Sequence, residues 1–183
     1  MRYYAGLDLA QADDFTAVVV LEAGEPRARA VLVERFRGLA YTAVVDRVAG
    51  HLAPFRDLLA LVDSTGVGRA VVDLLRVRTP WLRMVPVHLH GGARIRRAED
   101  GLHIPKRTLM QPLRALLASG RLEIPDGPLA DELRNFAVKA DPRTGHDRYE
   151  ARRGHDDLVV AASLACLPIP RHQASASQDA LSA

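Results

Sequence analysis

Cysteine is nearly absent from this 183-residue chain, where Cys166 stands alone. No intramolecular disulfide framework and no multi-cysteine zinc site can be built from it, and a reducing, cytoplasmic setting is expected. Long apolar runs are missing too, since no uncharged apolar stretch reaches the ~18 residues that suggest a membrane span. The opening residues, MRYYAGLDLAQADDF, have neither the basic start nor the apolar core of a secretory leader. No glycine is followed by lysine, so the phosphate-cradling pattern G-x-x-x-x-G-K-[ST] is absent. A nucleotide site of that type is therefore not expected of this chain. Lysine is almost as scarce as cysteine: Lys106 and Lys139 leave arginine to supply the other 23 of 25 basic residues. Arginine's planar fork suits bidentate phosphate contacts, although a GC-rich genome would give the same bias.

What remains is the composition of a soluble globular domain, 48% hydrophobic and 26% charged with a mean hydropathy of -0.04. One domain over residues 1–170 is expected. Residues 171–183, RHQASASQDALSA, are small and polar and are expected to be disordered.

Apolar patterning predicts the order of elements. Tyr3–Leu9, Thr16–Leu21 and Ala28–Phe36 read as three strands joined by short turns, one of them at Gly24-Glu25-Pro26. A helix over Thr42–Leu52 follows from the spacing of Val44, Val45, Val48 and Leu52. Leu58–Val62 reads as a strand, Gly66–Arg76 as a helix and Leu82–Leu89 as a strand, which makes a parallel βαβ unit. His90–His103 shows no period and is expected to be a mobile loop. Helices are predicted over Lys106–Leu117, Leu129–Val138 and Asp156–Leu167, with a short strand at Leu122–Ile124 and a hairpin around Thr144-Gly145. An antiparallel meander followed by parallel strands predicts an α/β fold, a mixed five-stranded sheet with helices on both faces. That order resembles an RNase H-like domain.

Carboxylates fall where such a sheet opens. Asp8 ends the first strand and Asp63 the fourth. If the two strands run parallel and adjacent, both side chains emerge at the same carboxyl edge, where ligands of such sheets bind. Asp156 and Asp157 open the last helix. An aspartate there ordinarily caps the helix, but two are more than capping needs. Ala161, Ala162 and Ala165 would let that helix lie close to the sheet and bring the pair toward Asp8. Converging carboxylates repel one another unless divalent cations compensate them, and oxygen donors suit Mg²⁺ or Mn²⁺. Two such ions roughly 3.5–4 Å apart can activate a water and stabilise a phosphodiester's leaving oxygen.

The net charge of +3 is unevenly spread. Between Arg76 and Arg107, eight basic residues face only Glu99 and Asp100, a local +6. Such clustering is the footprint of a polyanionic partner, and Arg94, Arg96, Arg97, Lys106 and Arg107 are candidate phosphate contacts. His155 is a candidate to orient an aspartate, hold a metal-bound water or touch phosphate, with helix capping as the competing role. His88 and His90 read as surface or packing side chains, Trp81 and Phe136 as core, and Cys166 as an inert core thiol.

The strings GLDLAQADDFTAVVVLE, LALVDSTGVGRAVVDLL and YEARRGHDDLVVAASLACL, with IPKRTLMQPLRALLASGRLEIP and LADELRNFAVK between them, resemble the C-terminal nuclease domain of tailed-phage terminase large subunits. Together they cover most of residues 3–168 in the family's order. The resemblance implies an RNase H-like, resolvase-like fold and a metal-dependent endonuclease cutting concatemeric phage or prophage DNA during packaging, in the host cytoplasm. It implies metal-binding and catalytic roles for Asp8, Asp63 and the Asp156-Asp157 pair, and a secondary metal or water ligand at Asp14. It further implies double-stranded DNA as substrate, and a separate terminase ATPase, small terminase subunit or portal as partners. A junction resolvase on the same fold and a catalytically inactive DNA-binding module are the alternatives.

Overall fold

The structure, a computed structural model, describes residues 1–10, 14–65, 68–140, 147–151 and 155–169. Its frame follows from the apolar runs. β1 (Arg2–Asp8), β2 (Thr16–Ala23) and β3 (Ala28–Phe36) form an antiparallel meander. The β2–β3 turn is closed by the Gly24 N–H donating to the Arg27 carbonyl at 3.0 Å. Helix α1 (Tyr41–Leu52) carries the chain across to β4 (Leu58–Asp63), which lies parallel to β1 on its other side. α2 (Gly68–Arg78) and β5 (Arg83–His90) complete the βαβ unit.

The five expected strands form the centre of a larger sheet. β6 (Arg96–Ala98) and β7 (Gly101–Pro105) extend the β5 edge, and β8 (Leu122–Glu123) extends the β3 edge, giving, among the described residues, eight strands in the order β6-β7-β5-β4-β1-β2-β3-β8. The segment expected to be a loop is thus partly a hairpin. It lacks an apolar period because β6 is an edge strand with all three residues exposed, as edge strands commonly are. α3 (Lys106–Ala118) follows β7. α4 (Pro128–Asn135) ends sooner than the pattern predicts, because Phe136–Ala140 leaves the helix as β9 and pairs with β10 (Asp147–Ala151). The turn expected around Thr144-Gly145 and the tail 171–183 lie outside the described residues. The last helix, α5, spans Asp157–Cys166.

Strand alternation sorts side chains into two cores. Ala5, Leu7, Ala60 and Val62 face α1 and α2. Tyr4, Leu61, Val87 and Leu89 face α3 and α5. A central strand covered on both sides is apolar at nearly every position, which explains the unbroken runs in β1 and β4. All nine residues from Leu158 to Cys166 are buried, and Cys166 has its thiol pushed up to about 12 by burial, an inert core residue as expected. Phe136 packs against the same core. Trp81 does not: it is 49% exposed, because the turn closed by Leu82 N–H on the Thr79 carbonyl buries Thr79 and Leu82 instead.

Candidate metal centre at the carboxyl edge of the sheet

Asp8 and Asp63 are direct partners in the parallel β1–β4 register. Alternation puts both on the α5 side of the sheet, Asp8 two residues beyond Gly6 and Asp63 two beyond Leu61. Gly6 determines how near α5 comes. A Cβ there would lie 1.8 Å from the Ala161 carbonyl oxygen and 2.8 Å from the Ala165 nitrogen, so only glycine lets the helix backbone rest on β1. Asp157 is one turn N-terminal to Ala161, as Asp8 is two residues along β1 from Gly6. The helix seat therefore brings Asp157 over the strand ends.

The start of α5 is not capped by its own aspartates. Asp156 occupies the capping position with no side-chain bond to the helix. The Val159 N–H instead donates to Glu132 Oε1 of α4 at 2.9 Å. Glu132 is itself held by Arg35 of β3, whose Nη1 donates to Oε2 at 3.1 Å. Capping from another element frees Asp156 and Asp157 for other work. Asp157 Oδ2 is buried with no hydrogen-bond partner among the described residues.

Asp8, Asp14, Asp63, Lys106, Asp156 and Asp157 line one cleft of about 390 Å³. Burial raises the Asp8 carboxyl well above its ordinary range, and the charges of Asp63, Asp157 and Asp156 raise it further against the opposing pull of Lys106. Asp157 is raised by burial, with His155 opposing and Asp156 adding to the shift. Burial takes Glu132 up to about 7 against the lowering effects of the Val159 N–H and Arg35. Asp63 Oδ1 accepts the Thr65 N–H at 2.8 Å, which orients that carboxylate. The donor set lining the cleft suits a hard divalent cation: it offers carboxylate oxygens, and two of its members, Asp8 and Asp157, are buried enough to resist ionisation without one.

The structure brings together the aspartates predicted from sequence. His155 Nδ1 lies 3.7 Å from Asp157 Oδ2, and its ring meets Phe15 edge-on at 4.6 Å. Arg35 and Arg37 stack over Phe15 at 4.6 and 4.9 Å. Lys106 opens α3 at the rim, while Arg94, Arg96, Arg97 and Arg107 are exposed and line no part of the cleft. Glu132, Arg35 and Gly6 were missed from sequence. Glu132 left one signal, an acid on the apolar stripe of Leu129, Leu133 and Phe136.

The family model described as the terminase RNaseH-like domain matches residues 5–167. The terminase large subunit of Thermus phage G20c is 26% identical over 164 residues, 89% of this chain and 31% of the relative. That of Thermus virus P23-45 is 24% identical over the same length and shares. The chain thus spans about a third of the length of these curated relatives. Among solved structures, the large terminase nuclease of phage G20c with bound magnesium superposes with a TM-score of 0.72 at 24% identity, covering 92% of this chain and 82% of that one. The manganese-soaked human cytomegalovirus terminase nuclease domain gives 0.56 at 14% identity, covering 88% and 80%. These likenesses show the fold.

Proposed function

This chain belongs to the terminase RNaseH-like domain family, and on that premise we propose that it is a metal-dependent DNA endonuclease that cuts phage or prophage concatemers during packaging. One observation carries the reading. Asp8 and Asp63 are paired in register beneath a helix whose first turn is capped by Glu132 rather than by its own aspartates. A fold that needed Asp156 and Asp157 only for capping would use them for it.

Asp8, whose charge is opposed by three other carboxylates, would be the ligand common to two Mg²⁺ or Mn²⁺ ions. Asp63 and Asp157 or Asp156 would complete the two sites, with Asp14 at the margin. When bound, such ions activate the attacking water and neutralise the leaving phosphodiester oxygen. The chain's own groups position and steer. The Thr65 N–H fixes the Asp63 carboxylate, Glu132 and Arg35 hold the start of α5, and His155 faces Asp157. Lys106 supplies positive charge at the rim of the cleft for the scissile phosphate. Arg94, Arg96, Arg97 and Arg107 hold flanking phosphates of duplex DNA, with an affinity that falls as salt rises.

A motor ATPase, small terminase subunit or portal would deliver the DNA, in the cytoplasm of a bacterial host. Among the described residues no helix is long and apolar enough to cross a membrane. Supercoiled plasmid incubated with Mn²⁺ tests the reading. Wild type nicks and linearises it, and Asp8→Ala does not; equal cleavage by both ends the proposal. A preference for four-way junctions over linear duplex redirects it to a resolvase.

A further inference from the structure

The sheet face opposite the aspartate cleft carries a second cluster of ligand-type side chains. His88 of β5 and His103 of β7 are direct partners in the parallel register, and their ring centroids lie 4.7 Å apart. Asp100, in the turn of the β6–β7 hairpin, reaches both. Its Oδ1 is 3.0 Å from His103 Nε2 and its Oδ2 is 3.4 Å from His88 Nε2. Gly101 makes this reach possible. Its φ is +135°, and a Cβ there would lie 2.3 Å from the Pro86 carbonyl oxygen, so the hairpin turn presses directly onto β5. Beneath the rings the Ser64 hydroxyl is 3.2 Å from His88 Nδ1 and donates to the Val87 carbonyl at 3.1 Å. Ser64 has the parity of Val62, which faces α1 and α2. The cluster is therefore separated from Asp8 and Asp157 by the thickness of the sheet.

We propose that His88, Asp100 and His103 form a binding site for one divalent transition-metal ion of the zinc, cobalt or nickel class, distinct from the aspartate cleft. One donor atom from each residue lies within 4.8 Å of the other two. Tetrahedral bonds of about 2.0–2.2 Å place ligand atoms roughly 3.4 Å apart, a spacing within the 4.8 Å span of this cluster, in which His103 Nε2 and His88 Nε2 each approach a different oxygen of Asp100. Two imidazoles select this class over magnesium, which takes oxygen donors. On the His88 and Asp100 side, an open cavity of about 330 Å³, bordered also by Ser64, Arg76 and Glu99, leaves room for a further ligand such as water. An ion here ties the tip of the β6–β7 hairpin to β5, and that hairpin carries Arg96 and Arg97. The site does not depend on the nuclease reading, because its ligands are separate from the carboxylates that reading uses.

The test uses the full chain free of any histidine tag, with Zn²⁺, Co²⁺ or Mg²⁺ alone as probe. In the unaltered protein, side-chain ¹⁵N resonances of His88 and His103 shift on adding Zn²⁺ and stay put with Mg²⁺. Amides of residues 96–103 exchange more slowly when Zn²⁺ is bound. Co²⁺ gives visible absorption typical of nitrogen ligation in wild type and in Asp8→Asn, and His103→Gln weakens that binding at least tenfold. Zn²⁺ leaving both rings unmoved overturns the proposal and leaves a hydrogen-bonded cluster only. Loss of the Co²⁺ bands in Asp8→Asn, with His103→Gln unaffected, also overturns it by placing the ion in the aspartate cleft.

Discussion

Gly6 and Ala161 touch backbone to backbone: a Cβ on Gly6 would sit 1.8 Å from the Ala161 carbonyl oxygen. That approach sets the height of α5 above β1, and with it the distance between Asp157 and Asp8. Gly6→Ala forces the helix away from the strand. Overpacking of this kind costs about 1–3 kcal/mol, and a displacement near 1 Å at a reacting centre costs roughly a hundredfold in rate. A lower urea midpoint is expected, with plasmid cleavage reduced far more than duplex affinity. Unchanged cleavage would mean that the α5 seat does not position the centre.

Asp8 and Asp157 oppose folding once they ionise with no cation present. Asp8 and Asp157 are both raised, so each favours the folded state while protonated, and that advantage disappears as pH climbs through the folded value. Protein treated with EDTA should be less stable at pH 8 than at pH 5. Adding Mn²⁺ should raise its Tm more at pH 8 than at pH 5, because cations bind the ionised form. Asp8→Asn removes the most crowded charge. It should abolish cleavage while stabilising the cation-free protein by about 0.5–2 kcal/mol, the usual trade at functional sites. Thermal scans with and without Mn²⁺ measure both effects.

Glu132 titrates within reach of neutrality. Its carboxyl is lifted from 4.5 to about 7. Its contribution to stability is complete below pH ~4.5 and is lost as pH rises through about 7, a swing of at most about 3 kcal/mol, reduced by solvent screening. Glu132→Gln keeps an acceptor for the Val159 N–H and should flatten that part of the stability profile. Glu132→Ala leaves the N–H without its cap, should cost about 1 kcal/mol and should lower kcat more than duplex affinity. Urea midpoints taken from pH 4.5 to 8, set beside cleavage kinetics, separate the two variants. A wild-type profile identical to that of Glu132→Gln would rule out the titration.

Arg94, Arg96 and Arg97 are exposed, so replacing all three with alanine should leave folding within about 0.5 kcal/mol. Duplex affinity should fall, and the dependence of log K on log salt should flatten by about 0.9 for each phosphate left unneutralised. Titrations at several salt concentrations give that slope directly. An unaltered slope would place the DNA on another surface.

Much of the site is visible along the chain because its parts are local. Asp8 and Asp63 end apolar runs of strand length, and the aspartate pair opens a run of small apolar residues of helix length. Backbone periodicity reports such features within a window of a few residues, and the family strings placed them in order. The aperiodic segment after His90 was less legible, because an exposed edge hairpin such as β6–β7 buries too little to impose a pattern.

Tertiary structure alone decided which side chains serve which ends. Arg35 and Glu132 are 97 residues apart, and Glu132 and Val159 are 27 apart, yet together they cap the helix that holds Asp157. His88 reads along the chain as a surface or packing histidine; the parallel β5–β7 register sets it beside His103 and within reach of Asp100. Neighbours across a sheet are chosen by strand order and register, which depend on the burial of whole elements and leave no mark in any short stretch of sequence.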